Sequence, residues 1–346
     1  MLNIVLSISS GWLFFVGGRD NGFETFISEA HEKKIKIKAT CLNDICKNKN
    51  YEFYDTSELI LNFCFKLSIT SQKVTIMTKE NKKNRFYYNE DFLGSPQGRS
   101  MRILSEYYGP LKKITENKIH DTIVFFGSAR IKSESEATEL LSNLDDAASA
   151  QDIKRAQKDV KMSRFYEEAL QLSKKLTLWS KNLDNKKSRY IITSGGGGGI
   201  MEAANRGAKE ANGISMGLTI SLPFEATSNK YISEGLDLKF HYFFMRKFWF
   251  IYLAKALVVW PGGFGTLDEV MELLTLIQTE KIKKKLPIVL YGSEFWNNVV
   301  NWDYLVDCGT ISESDLDLFH ISDDIDDSYD YITKYIESYK LTGPNF

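Results

Sequence analysis

The chain has 346 residues, of which 43% are hydrophobic and 26% are charged, and its formal net charge is −1. This is the composition of an ordinary globular protein, long enough for one large domain or two. The near-zero charge excludes an overall field that would attract nucleic acid or an anionic membrane. The cysteines at 41, 46, 64 and 308 lack metal-site spacing and nearby histidines, so we expect free thiols in a reducing cytoplasm.

Residues 1–90 are predicted to form a small α/β module in which no motif suggests chemistry. Their apolar patterns predict a strand at 2–8, a helix at 23–31 and strands at 35–38 and 74–77. The apolar start has no basic segment before it and is interrupted by serines. This favours a buried strand over an export signal or a membrane span. Residues 91–118 follow as a connector with an amphipathic helix at 100–113.

Residues 119–346 alternate between strand-like and helix-like patterns. Apolar runs predict strands at 122–126, 190–193, 215–220, 238–242, 256–259 and 287–290. Helical patterns lie between most of them, including exposed helices over 134–160 with a break near residue 150, and an amphipathic helix at 164–181. The alternation predicts a Rossmann-like, doubly wound α/β fold, with a mostly parallel sheet and helices on both faces. Ligands of such sheets bind beyond the carboxyl ends of the strands.

A run of five glycines separates the predicted strand 190–193 from a helix that begins at Ile200. Ser194 precedes the run, which consists of Gly195, Gly196, Gly197, Gly198 and Gly199. Glycines at a strand-to-helix turn let backbone N–H groups approach an anion, and the helix N-terminus adds unpaired donors. A purely structural turn and a dinucleotide site are the alternatives. A dinucleotide site requires an acidic ribose ligand at the end of the next strand, and no carboxylate precedes Glu225 there.

A second glycine turn follows the predicted strand 256–259 and precedes a helix over 270–277. Its glycines are Gly262, Gly263 and Gly265. Gly127 and Ser128 close the first strand, so three turns at strand carboxyl ends are predicted to meet in one crevice. Two such turns in one α/β unit indicate a site for a mononucleotide or a sugar phosphate.

Two charged positions near these turns allow both a structural and a chemical interpretation. Thr266 and Glu269 have the spacing of a capping box at a helix start, which explains both residues without chemistry. Asp268 is then a first-turn partner of the helix dipole. Arg246 lies in the apolar helical segment 243–252, where it either extends to solvent or binds a phosphate or carboxylate. Asn205 and Arg206 are interpreted as a solvated helix face.

Several of these segments resemble the motifs of the LOG family, which is often labelled lysine decarboxylase-like. The resemblance is carried by Phe125–Arg130, Ser194–Met201, Glu202–Ala208, Met245–Lys247 and Pro261–Glu269, and it extends from about residue 91 to near the C-terminus. Characterised members are nucleoside 5'-monophosphate phosphoribohydrolases. The resemblance therefore implies hydrolysis of the N-glycosidic bond of an AMP-like or N6-modified AMP, giving a free base and ribose 5-phosphate. It also implies no cofactor, no metal and a homodimer or higher homo-oligomer.

The resemblance also implies roles for individual residues. Glu269 takes the place of the catalytic glutamate, and Arg246 has a catalytic or substrate-orienting role. Phosphate and substrate binding is implied for Gly127, Ser128, Ser194, Gly195, Gly196, Gly197, Gly198, Gly199, Met201, Lys247, Gly262, Gly263, Gly265 and Thr266. Arg130 belongs to the first of these turns. Many members have glycine where this chain has Glu202, so we expect a different base preference.

Two other functions are open on the sequence alone. A nucleotide-binding sensor without turnover would use the same turns, with residues 1–90 as its output module. Nucleic-acid binding is disfavoured, because no basic stripe interleaved with aromatic residues is present. The sequence does not identify the base.

Overall fold

The structure is a computed structural model of the chain. It describes residues 3–8, 11–14, 35–40, 50–53, 85–145, 148–183, 190–220, 228–284, 286–341 and 343–345. The chain divides into two compact units, Met1–Arg99 and Ser100–Phe346. The boundaries expected near residues 90 and 118 stay predictions. No helix of the described segments combines the length and the apolarity that a bilayer crossing needs.

The first unit contains a four-stranded antiparallel sheet. Its strands are β1 (Asn3–Ile8), β2 (Gly11–Phe14), β3 (Ile35–Thr40) and β4 (Asn50–Phe53). They lie in the order β2-β1-β3-β4, which confirms the strands predicted near 2–8 and 35–38. The helix predicted at 23–31 and the strand predicted at 74–77 lie outside the described residues. A 3-10 turn (Phe86–Tyr88) and a short helix, α1 (Glu90–Gly94), follow.

The second unit contains a seven-stranded sheet. Its strands are β5 (Thr122–Phe126), β6 (Ile191–Ser194), β7 (Ser215–Ile220), β8 (Asp237–Phe240), β9 (Ala254–Val259), β10 (Ile288–Tyr291) and β11 (His320–Ser322). All neighbours pair in parallel, in the order β11-β10-β9-β5-β6-β7-β8. From β5 the chain winds outwards to β8, then crosses to β9 and winds the other way. This confirms the doubly wound α/β fold and places its topological switch between β5 and β9.

Helices connect the strands of this sheet. They are α2 (Arg99–Glu116), α3 (Glu134–Ser142), α4 (Ala150–Asn182), α5 (Ile200–Glu210), α6 (Phe243–Tyr252), α7 (Phe264–Gln278), α8 (Ser293–Val299), α9 (Trp302–Asp307) and α10 (Ile325–Tyr339), with a 3-10 segment at Glu313–Leu318. Every residue of β5, β6, β7, β9 and β10 is buried, so both faces of the central sheet are covered.

The structure differs from the sequence prediction in its longest helix. The expected break near residue 150 is confirmed, because α3 ends at Ser142 and Ser149 caps α4 by accepting a hydrogen bond from the Asp152 N–H at 3.1 Å. The expected separate helix at 164–181 is wrong, since α4 runs without interruption from 150 to 182. Its buried face includes Ala156 as well as Leu176, so the polar first half also packs against the protein.

A buried ionic cluster lies at the amino ends of the strands, opposite the glycine turns. Lys255 near the start of β9 and Asp121 just before β5 are both fully buried, and their charged atoms are 3.6 Å apart. The Lys255 ammonium also donates to two backbone carbonyls and to the Asn345 side chain. Gly343 N–H donates to Asp121, so the C-terminal segment closes this cluster. Satisfying a buried charge in this way is what makes its burial tolerable.

Candidate functional site

The three turns at the strand carboxyl ends meet at Ser128. The Ser128 N–H donates to the Pro261 carbonyl at 3.0 Å, and the Ser128 carbonyl accepts from the Ile200 N–H at 3.1 Å. Ser128, which lies two residues beyond the end of β5, therefore links the turn before α5 to the turn before α7. The structure brings the predicted turns together at the switch point between β5 and β9, where ligands of doubly wound sheets bind.

The first glycine turn requires glycine for its shape. Gly196 and Gly199 have φ values of +74° and +60°, which side chains with a Cβ rarely adopt. A Cβ on Gly199 would also lie 2.3 Å from the Ser128 carbonyl oxygen. Among the described residues, the N–H groups of Gly197, Gly198 and Gly199 have no hydrogen-bond acceptor. Unpaired donors at the start of a helix are suited to binding an anion.

A buried hydrogen-bond network holds this turn from behind. Asn205 on α5 is fully buried, and its amide oxygen accepts from Ser194 Oγ at 2.7 Å and from Asn229 Nδ2 at 3.0 Å. Asn229 also donates to the Gly197 carbonyl at 2.9 Å. The interpretation of Asn205 as part of a solvated face is wrong, because this side of α5 packs against the sheet. Arg206 is half-buried and pairs with Glu210 at 3.0 Å.

Replacing Asn205 with alanine is expected to weaken anion binding at the first glycine turn about tenfold. The substitution removes the shared acceptor of Ser194 and Asn229, and leaving buried donors unsatisfied costs about 1–3 kcal/mol. Calorimetric titration with inorganic pyrophosphate and a thermal melt measure binding and folding. Asn298→Ala on exposed α8 is the control. An unchanged Kd in a folded Asn205→Ala protein would contradict a positioning role.

Met201 lies beneath the first turn rather than in an open pocket. Its sulfur would be 2.6 Å from a Cβ on Gly195, and its terminal methyl 2.8 Å from one on Gly197. The space beside Gly127 is also filled, since a Cβ on this residue would lie 2.7 Å from the Ile200 side chain. These residues shape the turn by close packing, and substrate binding by them stays a prediction.

The second turn leads directly into α7. This helix begins at Phe264 after Gly263, which provides no side-chain cap. Thr266 and Glu269 are therefore the third and sixth residues of the helix, and the capping-box interpretation is wrong. Thr266 Oγ1 would be 2.2 Å from a Cβ on Gly262, so only glycine fits there. In the described part of the chain, the N–H groups of Gly262, Gly263 and Gly265 have no acceptor, which gives a second set of free donors.

Glu269 and Arg246 form a buried ion pair between α7 and α6. Arg246 Nη2 lies 3.3 Å from Glu269 Oε1, with the side chains 15% and 5% exposed. Burial raises the pKa of Glu269, and the nearby charges of Arg246 and Lys247 only partly offset it. The Arg246 side chain is thus not extended to solvent. Its Nε is buried without a hydrogen-bond acceptor among the described residues, so one donor remains for a ligand.

Lys247 lies on a different side of α6 from Arg246. Its ammonium is 2.7 Å from both Asp268 and Glu272. Burial lowers the pKa of Lys247, but these carboxylates outweigh burial and the net shift is upwards. Asp268 is the fifth residue of α7, so its assignment as a first-turn dipole partner is wrong. Lys247 lines an open cavity of about 930 Å³ between α6 and α7, to which Phe264 of the second turn also contributes.

A cavity of about 820 Å³ opens at the glycine turns. It is lined by Ser128, Ala129, Arg130, Ile131, Lys132, Glu136, Arg155, Lys158, Asp159, Met162, Tyr166, Gly198, Gly199, Glu202, Pro261, Gly262 and Phe295. Ser128, Gly198, Gly199 and Gly262 were predicted from the sequence. The contribution of α4 was not, because its polar spacing looks like that of an exposed helix. Tyr166 on α4 donates a hydrogen bond to Glu202 at 3.0 Å. Within the described residues, no cluster of His, Cys, Asp and Glu could hold a metal ion.

Comparison with known proteins found one family model that matches part of the chain. Residues 201–332 match the family model described as "Possible lysine decarboxylase", a segment that contains Arg246, Lys247 and Glu269. A search of curated proteins gave no match. The X-ray structure of TM1055, a structural genomics target, is 18% identical and covers 62% of this chain and 99% of its own, with a TM-score of 0.37. The molybdenum cofactor carrier protein MCP from Chlamydomonas reinhardtii is 17% identical and covers 63% and 98%, with a TM-score of 0.35. Residues 201–332, which include the second glycine motif, therefore match the lysine decarboxylase-like, or LOG, family.

Proposed function

We propose that the protein hydrolyses the N-glycosidic bond of a nucleoside 5'-monophosphate. The substrate would be AMP or an N6-modified AMP, and the products a free base and ribose 5-phosphate. The observation that carries the proposal is the buried pair of Glu269 and Arg246, because Glu269 lies on the helix that follows the second glycine turn. The Nε of Arg246, which has no acceptor in the described part of the chain, supports a substrate oxygen at this position.

The proposed mechanism divides the work between the turns and the ion pair. The free N–H groups before α7 bind the 5'-phosphate and so fix the ribose. Glu269 lies six residues beyond Gly263, about 9 Å along the helix axis, a span that a bound ribose 5-phosphate bridges. Its carboxylate stabilises the positive charge that develops at C1' or accepts a proton from the attacking water. Arg246 holds the carboxylate and orients the ribose.

The geometry gives no support to a decarboxylase that forms an imine with lysine. An imine-forming lysine must lose its proton, whereas Lys247 is kept protonated by two carboxylates. Lys255 is fully buried at the opposite edge of the sheet from the glycine turns. Neither lysine is therefore in a position to form the imine that such a decarboxylation needs.

We also propose a homodimer or higher homo-oligomer in the cytoplasm. Phe243, Phe244 and Phe264 are 51%, 51% and 91% exposed at the ends of α6 and α7, which leaves an apolar surface for a second copy. The exposed free thiol of Cys308 suits a reducing compartment.

Chromatographic product analysis tests the proposed reaction. The purified protein is incubated with nucleoside 5'-monophosphates and, in parallel, with the matching nucleosides. We expect free base and ribose 5-phosphate from a monophosphate and nothing from its nucleoside, because the turns bind the phosphate. Tight binding of a nucleotide without base release would contradict the reaction and favour the sensor. Equal release from nucleoside and nucleotide would contradict the phosphate-binding role of the turns.

A further inference from the structure

The 820 Å³ cavity extends beyond the site that the proposed function uses. Ser128, Gly198 and Gly262 form one wall, and the first half of α4 forms another. Neither Arg246 nor Glu269 lines it. The size of the cavity is that of a small-molecule pocket.

Three of the four cations in the cavity form no ion pair with the described residues. Its four cations are Arg130, Lys132, Arg155 and Lys158, and its three carboxylates belong to Glu136, Asp159 and Glu202. Lys132 pairs with Asp159 at 2.7 Å. Among the described residues, Arg130, Arg155 and Lys158 form no ion pair. Glu202 accepts the hydrogen bond from Tyr166, which engages one of its oxygens.

Three lysines on other parts of α4 form ion pairs. Lys161 pairs with Glu294, Lys174 pairs with Glu210, and Lys175 pairs with Asp326. Apart from Lys132, the cations that line the cavity form no ion pair with the described residues, and they line the same cavity as Gly198 and Gly199. Four cations and three carboxylates give the lining a net charge of +1, which adds to the helix N-terminus in favouring an anion in this concave surface.

We propose that this cavity is a second phosphoryl subsite. It binds a phosphate group in addition to the one on the turn before α7, using Arg130, Arg155, Lys158 and the N-terminus of α5. This second subsite rests on the proposed function, because that function places the first phosphate on the turn before α7. The second phosphoryl group is either attached to the 5'-phosphate of the substrate or carried by a separate small molecule. Water attacks only C1' in either case, and any phosphoanhydride bond stays intact.

Calorimetric titration with inorganic pyrophosphate tests the subsite. We expect wild-type protein to bind pyrophosphate and Arg155→Gln to weaken binding about fivefold, because a charge-assisted contact is lost. Lys154→Gln is the matched control, since Lys154 is an exposed cation on the same helix that does not line the cavity. Equal effects of the two substitutions, or no pyrophosphate binding by wild type, would overturn the proposal.

A second titration identifies the source of the phosphoryl group. It uses Glu269→Gln protein, to prevent turnover, saturated with AMP. Continued pyrophosphate binding supports a separate phosphorylated molecule beside the substrate. Exclusion of pyrophosphate by AMP, together with an Arg155-dependent preference for ADP over AMP, supports an attached second phosphate. Exclusion without that preference overturns the subsite.

The binding results do not depend on catalysis. If wild type releases base from AMP but Arg155→Gln behaves like Lys154→Gln, only the second subsite fails. If no base is released but pyrophosphate binding depends on Arg155, only the proposed reaction fails. The two proposals are therefore tested separately by the same proteins.

Discussion

Replacing Glu269 with glutamine is expected to lower kcat for base release roughly 10³-fold, within the range of a lost general acid–base group. Glutamine retains the size of the side chain and an oxygen that accepts from Arg246, but it carries no charge. Glu269 is the sixth residue of α7 and caps nothing, so the helix is expected to remain intact. Steady-state kinetics with a nucleoside monophosphate and a thermal melt measure activity and folding together.

The neighbouring carboxylate provides the control for this substitution. Asp268→Asn removes a charge one residue away, from a side chain that is 58% exposed and pairs with Lys247. We expect this variant to lose no more than a few-fold in kcat, since exposed ion pairs contribute little. Comparable losses in the two variants would show that the charge of the region, rather than Glu269, supports the reaction.

The pH dependence adds a second readout for Glu269. Burial raises its pKa above the ordinary 4.5, so wild-type activity is expected to fall as pH drops through that raised value, and the glutamine variant lacks this limb. Stability changes in the opposite sense. The folded state holds the proton more tightly than the unfolded state, so wild type loses stability relative to Glu269→Gln as pH rises from 4.5 through the raised pKa. Urea unfolding at several pH values measures this difference.

Replacing Lys255 with methionine is expected to destabilise the second unit by about 3–5 kcal/mol, the usual loss when one member of a buried ion pair is removed. Methionine has a similar length but leaves the fully buried Asp121 carboxylate without the ammonium that now lies 3.6 Å away. It also removes the donor to Asn345, which helps to hold the C-terminal segment. Urea unfolding measures the change in free energy.

Two further variants define the cause of this loss. Asp121→Asn combined with Lys255→Met removes both charges, and we expect it to recover a large part of the stability. Lys239→Met changes an exposed lysine on β8 and should have an effect within about 0.5 kcal/mol. If Lys255→Met were as stable as Lys239→Met, the buried cluster would not contribute to the fold.

The fold could be predicted largely because buried parallel strands leave a simple signal in the sequence. Runs such as 122–126 and 215–220 are apolar or small throughout, and the structure confirms both ranges. β11 was missed, since three residues at the edge of a sheet give no periodic signal. β9 begins at Ala254 rather than at 256, because Lys255 looks like a loop residue until Asp121 and Asn345, distant in sequence, are brought beside it.

The site was predictable where the requirement is local. Gly199 and Gly262 occupy backbone positions that have no room for a Cβ. A glycine-rich turn between a strand and a helix is enough to recognise such positions in the sequence. The capping box was wrong because α7 begins two residues before Thr266, a boundary that sequence patterns locate poorly. Asn205 and Tyr166 were not assigned their contacts, since burial depends on which faces of α5 and α4 pack against the rest of the fold.

Isotope tracing of the hydrolytic water tests the proposed reaction most directly. The protein is incubated with AMP in water enriched in ¹⁸O, and the products are analysed by mass spectrometry. Attack at C1' predicts one ¹⁸O atom in ribose 5-phosphate, unlabelled adenine and no labelled inorganic phosphate. Labelled inorganic phosphate together with adenosine would show cleavage at phosphorus instead, and would contradict a role for Glu269 at the glycosidic bond.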